Sequence, residues 1–217
     1  MKSRVFITFF LFLTFSRLYS QDPARFAEEI KAIGLKYKEI TPSADLIVFT
    51  GSSSLRRWDN LQEYFPSKNI INTAFGGSQM SDLLFYADSV ILKYKPAQVF
   101  IYEGDNDLAS DEMPGEIVKE AKMLCKRIHK ELPGTEIVII SAKPSPIRWN
   151  LKDQYLSLNR LYSKLGTRYK YIQYVDLWSP LTGPSGRPRG ELFIKDSLHI
   201  NNDGYRIWAG EIEKLLK

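Results

Sequence analysis

Three serines, Ser52, Ser53 and Ser54, stand directly behind a run that is mostly apolar and ends in glycine, Leu46-Ile-Val-Phe-Thr-Gly51. Toward the other end of the chain, Asp196 and His199 lie three residues apart. A serine hydroxyl is a weak nucleophile until a base takes its proton. A carboxylate three residues ahead of an imidazole can hold one ring nitrogen across a turn and leave the other free to be that base. The chain has only two histidines, which excludes a multi-histidine zinc site and confines any histidine catalysis to His129 or His199. His129 sits in Lys126-Arg-Ile-His-Lys130, which reads as a solvated or interfacial helix face. Plainer readings exist: serines ahead of a helix often cap it, and an Asp-x-x-His pair can occupy a surface turn.

Position along the fold weighs against the plain readings. Short apolar runs bounded by glycine or proline read as strands at 46–50, 69–74, 98–102, 136–141 and 171–176. Helical spacing recurs at 23–40, 54–65, 80–94, 114–132, 150–169 and 201–217, with Pro23 and Pro114 suited to first turns. Alternating strands and helices predict an α/β fold: a three-layer α/β/α sandwich, flavodoxin-like, with about five parallel strands. In such a sheet, sites form beyond the carboxyl ends of the strands. Polar and glycine-rich residues follow the first four strands: Gly51-Ser-Ser-Ser54, Phe75-Gly-Gly-Ser-Gln79, Glu103-Gly-Asp-Asn-Asp107 and Lys143-Pro-Ser-Pro-Ile-Arg148. They should therefore gather on one edge.

Composition narrows the remaining classes. Residues 1–20 begin with Lys2 and Arg4, continue with an apolar core and end in a small Ser20, the layout of a signal peptide cleaved near Ser20. The expected mature chain, 21–217, is a single domain, secreted or periplasmic, without stable membrane insertion; a leader kept uncleaved as an anchor is the alternative. Losing Lys2, Arg4 and Arg17 takes the formal charge from +5 to +2, so the basic balance argues little for a nucleic-acid partner. A single cysteine, Cys125, excludes an intrachain disulfide. The acids Glu103, Asp105 and Asp107 lack calcium-loop spacing and read as a polar loop whose carboxylates orient Asn106 or cap a helix. No metal and no cofactor are expected.

Position 55 is Leu, so the serine is not in a Gly-x-Ser-x-Gly elbow. The chain instead resembles the SGNH, or GDSL-like, hydrolase superfamily, across residues 46–205. Gly51-Ser52-Ser53 corresponds to that family's Gly-Asp-Ser and would place the nucleophile at Ser53, with Ser54 the alternative register; Ser52 stands where Asp is common. Gly77, in Asn72-Thr-Ala-Phe-Gly-Gly77, corresponds to the family's glycine, and Asn106, in Gly104-Asp-Asn-Asp107, to its asparagine. Asp196-Ser-Leu-His199, followed by Asn202-Asp-Gly-Tyr205, corresponds to the last block. The resemblance implies a serine esterase acting through a Ser53–His199–Asp196 triad. Its oxyanion hole would comprise the Ser53 and Gly77 N–H groups and the Asn106 amide. The expected substrates are small-molecule or carbohydrate esters with short acyl or acetyl groups; the alternatives are a lysophospholipase or lipase, or a non-catalytic sugar-binding module. Arg148 is a candidate for an anionic substrate group or for closing its loop, and Trp149, Trp58 and Trp178 are candidates for stacking on sugars or, equally, for core or rim packing.

Overall fold

The structure is a computed structural model that describes residues 22–217. The expected leader, residues 1–20, lies outside the described residues. Five strands, β1 (Leu46–Gly51), β2 (Asn69–Asn72), β3 (Gln98–Tyr102), β4 (Glu136–Ile140) and β5 (Ile172–Val175), form one sheet in the order β2-β1-β3-β4-β5. Every pairing is parallel. The helices are α1 (Ala27–Lys36), α2 (Ser53–Arg56), α3 (Leu61–Tyr64), α4 (Met80–Phe85), α5 (Ala87–Val90), α6 (Asp105–Ala109), α7 (Pro114–Glu131), α8 (Lys152–Arg168) and α9 (Asn202–Glu213).

Alternate strand residues face opposite ways, so each strand feeds two cores. Leu46, Val48, Val99, Ile101, Ile137 and Ile139 join the cluster that takes in buried residues of α1, α4, α5, α7 and α8. Ile47, Phe49, Phe100, Tyr102, Val138 and Ile140 join the cluster formed with Leu55, Trp58, Leu61, Tyr205, Trp208 and Ile212, on the side of α2, α3 and α9. This is the three-layer α/β/α arrangement, and it explains why the central strands carry unbroken apolar runs. Consecutive connections run outward from β1 in opposite directions, toward β2 and β3. The crevice at that switch point is where such sheets place ligands.

Several elements differ from the sequence reading. The segment 54–65 is two short helices, because Trp58 turns into the core against Tyr205, with ring centroids 4.8 Å apart, and interrupts the spiral. The segment 80–94 breaks at Tyr86 and Ile91. Leu83, Ala87, Val90, Ile91, Leu92 and Tyr94 are all buried, too many in succession for one helical stripe. Residues 105–109, read as loop, form a helical turn. Asp107 caps it by accepting the Gly104 N–H on Oδ2 at 3.0 Å.

Gly51 closes β1 at φ 126°, and a Cβ there would lie 2.0 Å from the Tyr102 carbonyl oxygen of β3. The two strands pair at this point, with the Ser52 N–H donating to that same carbonyl at 3.0 Å. Any side chain would have to push β1 off β3 and carry the serine turn with it. Gly51→Ala is expected to lower unfolding free energy by about 2–4 kcal/mol, measured by urea denaturation. Unchanged stability would contradict this account of the turn.

Candidate active site

Ser53 is the first residue of α2, so its side chain stands at the carboxyl end of β1 and its N–H has no partner within the helix. His199 and Asp196 lie in the turn before α9. His199 Nε2 is 2.9 Å from Ser53 Oγ, and His199 Nδ1 is 2.7 Å from Asp196 Oδ2. Asp196 Oδ1 accepts the backbone N–H groups of Leu198 and His199, each at 2.9 Å, so the turn itself orients the carboxylate. With Nδ1 protonated toward Asp196, Nε2 is left to accept the Ser53 hydroxyl.

The other serines are engaged differently. Ser54 is buried and Ser52 is 1% exposed, its Oγ accepting from Asn106 Nδ2 at 2.6 Å. Of the three hydroxyls, that of Ser53 lies within hydrogen-bond distance of His199.

Two opposing influences set the titration of this pair. Burial raises the Asp196 carboxyl, but the hydrogen bonds from the His199 ring and from the two backbone N–H groups overcome it and hold the group at about 2. Burial lowers His199 below its ordinary 6.5; Asp196 pulls it back up, and the nearby Arg57 charge pushes it further down.

Gly77 takes φ 75°, while a Cβ built on it meets nothing within 4 Å. Its value as glycine therefore lies in the backbone conformation and not in relief of a clash. No partner is recorded for its N–H among the described residues, whereas the preceding Gly76 N–H donates to the Glu29 carboxylate at 3.2 Å. Asn106, in the first turn of α6, donates from Nδ2 to the Ser78 carbonyl at 2.9 Å as well as to Ser52.

These groups border an open cleft of about 420 Å³ lined by Glu29, Ser53, Arg56, Arg57, Gly76, Gly77, Asn106, Leu198 and His199. Only Leu198 contributes an apolar side chain beyond a methylene stem. A second cleft of about 450 Å³, between α1 and the α2–α3 segment, shares Glu29 and Arg56 but none of Ser53, Asn106 and His199. Glu29 and Arg56 form an ion pair between the two.

The remaining candidates fall elsewhere. Arg148 is absent from the cleft lining; its guanidinium engages Asp105 and Asn106. Trp149 is also outside the cleft and stacks on Trp178, with centroids 5.9 Å apart. Trp58 and Trp178 are core residues. His129 stacks on Tyr171 at 3.8 Å, an interfacial position.

Asp107, Glu112 and Glu120 bring carboxylate oxygens within 4.8 Å of one another. Both Asp107 oxygens already accept backbone N–H groups, from Met80 at 2.7 Å and Gly104 at 3.0 Å. Glu103 is fully buried; burial, then the Asp107 charge, pushes its carboxyl well above the ordinary range, and its Oε1 accepts the Ser78 hydroxyl at 2.6 Å. Sequence reasoning did not single out Ser78, Lys143 or Glu29, because a backbone carbonyl and two ordinary charged residues carry no local signature.

Residues 41–207 match the model of the GDSL-like lipase/acylhydrolase family. Among solved structures, the chain is similar to a Streptococcus pneumonia protein provisionally described as a platelet activating factor. That pair has a TM-score of 0.77 and 24% identity, over 89% of this chain and 95% of that one. A GDSL-like lipase from Bacteroides thetaiotaomicron aligns with a TM-score of 0.69 and 19% identity, over 90% and 97% of the two chains. A variant of an acetyl-xylooligosaccharide esterase from Geobacillus stearothermophilus aligns with a TM-score of 0.65 and 14% identity, over 82% and 96%. One curated relative, an N-acylneuraminate cytidylyltransferase of Escherichia coli, is 27% identical over 120 residues. That match covers 55% of this chain but only 28% of the relative.

Proposed function

The chain belongs to the GDSL-like lipase/acylhydrolase family; from that membership we propose a carboxylic ester hydrolase, a serine esterase for small esters with short acyl or acetyl groups, carried on carbohydrates among other alcohols. The observation that carries the reading is the continuous contact from Ser53 Oγ through His199 to Asp196, at 2.9 and 2.7 Å.

In this mechanism Ser53 Oγ bonds to the ester carbonyl carbon as its proton passes to His199 Nε2. The carbonyl oxygen becomes an oxyanion facing the Ser53 and Gly77 N–H groups and Asn106 Nδ2. Collapse breaks the bond to the alcohol oxygen, which leaves with the proton from His199. Water then attacks the acyl-enzyme, gives a proton to His199, and releases the acid with Ser53 restored. Asp196 stabilises the imidazolium and keeps its charge throughout.

Cleft chemistry supports small esters: the open cleft of about 420 Å³ at Ser53 has Leu198 as its one apolar side chain, and the adjoining cleft that shares Arg57 and His199 adds only Ile194, Ile200 and Tyr205, surface for a short acyl group and not for a long tail. No helix of the described residues is long and apolar enough to cross a membrane. Export through the leader at 1–20 belongs to the same proposal. A series of p-nitrophenyl acetate, butyrate, octanoate and palmitate, run beside acetylated sugars, tests the substrate class. The expected result is the highest kcat/KM at acetate or butyrate. A maximum at palmitate selects the lipase alternative, and binding of sugars without turnover of any ester selects the binding module.

The base must be neutral to accept the serine proton, so turnover appears as pH rises through the His199 pKa. Because that pKa lies below the ordinary 6.5, kcat/KM for a neutral ester is expected to pass half its plateau at a pH below 6.5 and to have levelled off by pH 8. A midpoint above 6.5 would contradict the burial of His199 as described.

A further inference from the structure

An asparagine amide can act on an oxyanion only in one of its two flipped orientations. Turned by 180°, it would present Oδ1, which repels the developing charge. In this structure both ends of the Asn106 amide are fixed. Arg148 Nη2 donates to Oδ1 at 3.1 Å, and the Ser78 carbonyl accepts from Nδ2 at 2.9 Å. A flipped amide would set oxygen against carbonyl oxygen and NH₂ against guanidinium.

Arg148 is itself immobilised. Its Nη1 donates to Asp105 Oδ1 at 2.5 Å and to the Asp105 carbonyl at 2.9 Å. Asp105 is anchored in turn: Oδ2 accepts from Lys143 Nζ at 3.0 Å and from the Tyr102 hydroxyl at 2.9 Å, and Oδ1 also accepts the Tyr155 hydroxyl. The Lys143 side chain is fully buried and that of Arg148 is 19% exposed.

We propose that Arg148, held by Asp105, is a positioning residue that keeps the Asn106 amide turned toward the oxyanion. The proposal rests on the serine-esterase reading above. Arg148 touches the far end of the amide, not the cleft, so it acts through Asn106 and not on the substrate. In the free protein the second Nδ2 hydrogen points to Ser52 Oγ at 2.6 Å; that hydrogen is the one a substrate oxyanion shares or takes over. This positioning acts in the transition state more than on the bound ester. The sequence allowed Arg148 either a contact to an anionic group or a role in closing its loop; here its guanidinium engages Asp105 and Asn106.

A double-mutant cycle on p-nitrophenyl acetate tests this, using Arg148→Met, Asn106→Ala and the pair. Arg148→Met is expected to lower kcat about 10- to 100-fold with KM within about threefold, since it loosens one oxyanion donor. In the Asn106→Ala background the same change is expected to alter kcat by less than about twofold, because the amide it aims is already gone. Arg148→Lys keeps a charge while losing the fork. It is expected to show a smaller loss with the same dependence on Asn106, and it carries the cycle if the Met variant does not fold. An equal loss in both backgrounds, or a loss confined to KM, overturns the proposal. Those outcomes leave the esterase reading intact, whereas full activity of Ser53→Ala removes that reading itself.

Discussion

Ser53→Ala is expected to remove ester turnover to roughly 10⁶-fold below wild type, leaving only what binding and the oxyanion donors provide. The hydroxyl 2.9 Å from His199 Nε2 is the one nucleophile positioned to lose its proton to that base. His199→Ala should fall almost as far, and the double variant little further, because the two groups act as a unit. Asp196→Asn should cost roughly 10⁴-fold: the geometry survives, but the imidazole loses the partner that fixes its tautomer. The neighbouring serines separate the register. Ser54→Ala removes a buried hydroxyl away from the base and should retain most activity. Ser52→Ala releases one Asn106 contact and should reduce kcat modestly. Steady-state kinetics on p-nitrophenyl acetate decides among these; loss on changing Ser54 alone would move the nucleophile by one residue.

Asn106→Ala is expected to lower kcat by roughly 100- to 1000-fold while KM moves little, since it deletes one oxyanion donor and leaves the nucleophile and base in place. Its side chain is held on three sides, by Ser78, Ser52 and Arg148, so the donor is in place before substrate arrives. A rise in KM matching the fall in kcat/KM, with kcat unchanged, would mean that the amide binds the ester and not the charge that develops on it.

Much of this arrangement was legible in the sequence because each part has a local cause. The apolar runs at 46–50, 98–102 and 136–141 are buried on both faces, and only a covered parallel sheet accommodates them. Gly51 closes a strand, Gly77 and Asn106 follow strands, and Asp196 precedes His199 by one turn, so geometry gathers them on one edge, while the choice of Gly77 and Asn106 among their neighbours comes from the family resemblance. The sequence reading already expected the acids around Asn106 to orient it or to cap a helix, and the structure divides those roles between Asp105 and Asp107. What could not be read were partnerships across the sheet. Arg148 and Lys143 lie 43 and 38 residues from Asp105, and nothing near either one signals a buried contact. The tryptophans left two readings open for a related reason: an aromatic ring on a helix or a loop looks alike in sequence whether it meets a sugar or Tyr205, and Trp58 and Trp178 pack in the core. The break at Trp58 arises from tertiary packing, which local helical spacing does not contain.

The central claim is that Ser53 carries the acyl group. Incubation with a fluorophosphonate, followed by intact-mass and peptide mass spectrometry, tests it most directly. The account predicts one adduct per chain, on Ser53, lost in Ser53→Ala and strongly slowed in His199→Ala. An adduct on Ser54, or no adduct on an enzyme that still hydrolyses esters, would contradict it.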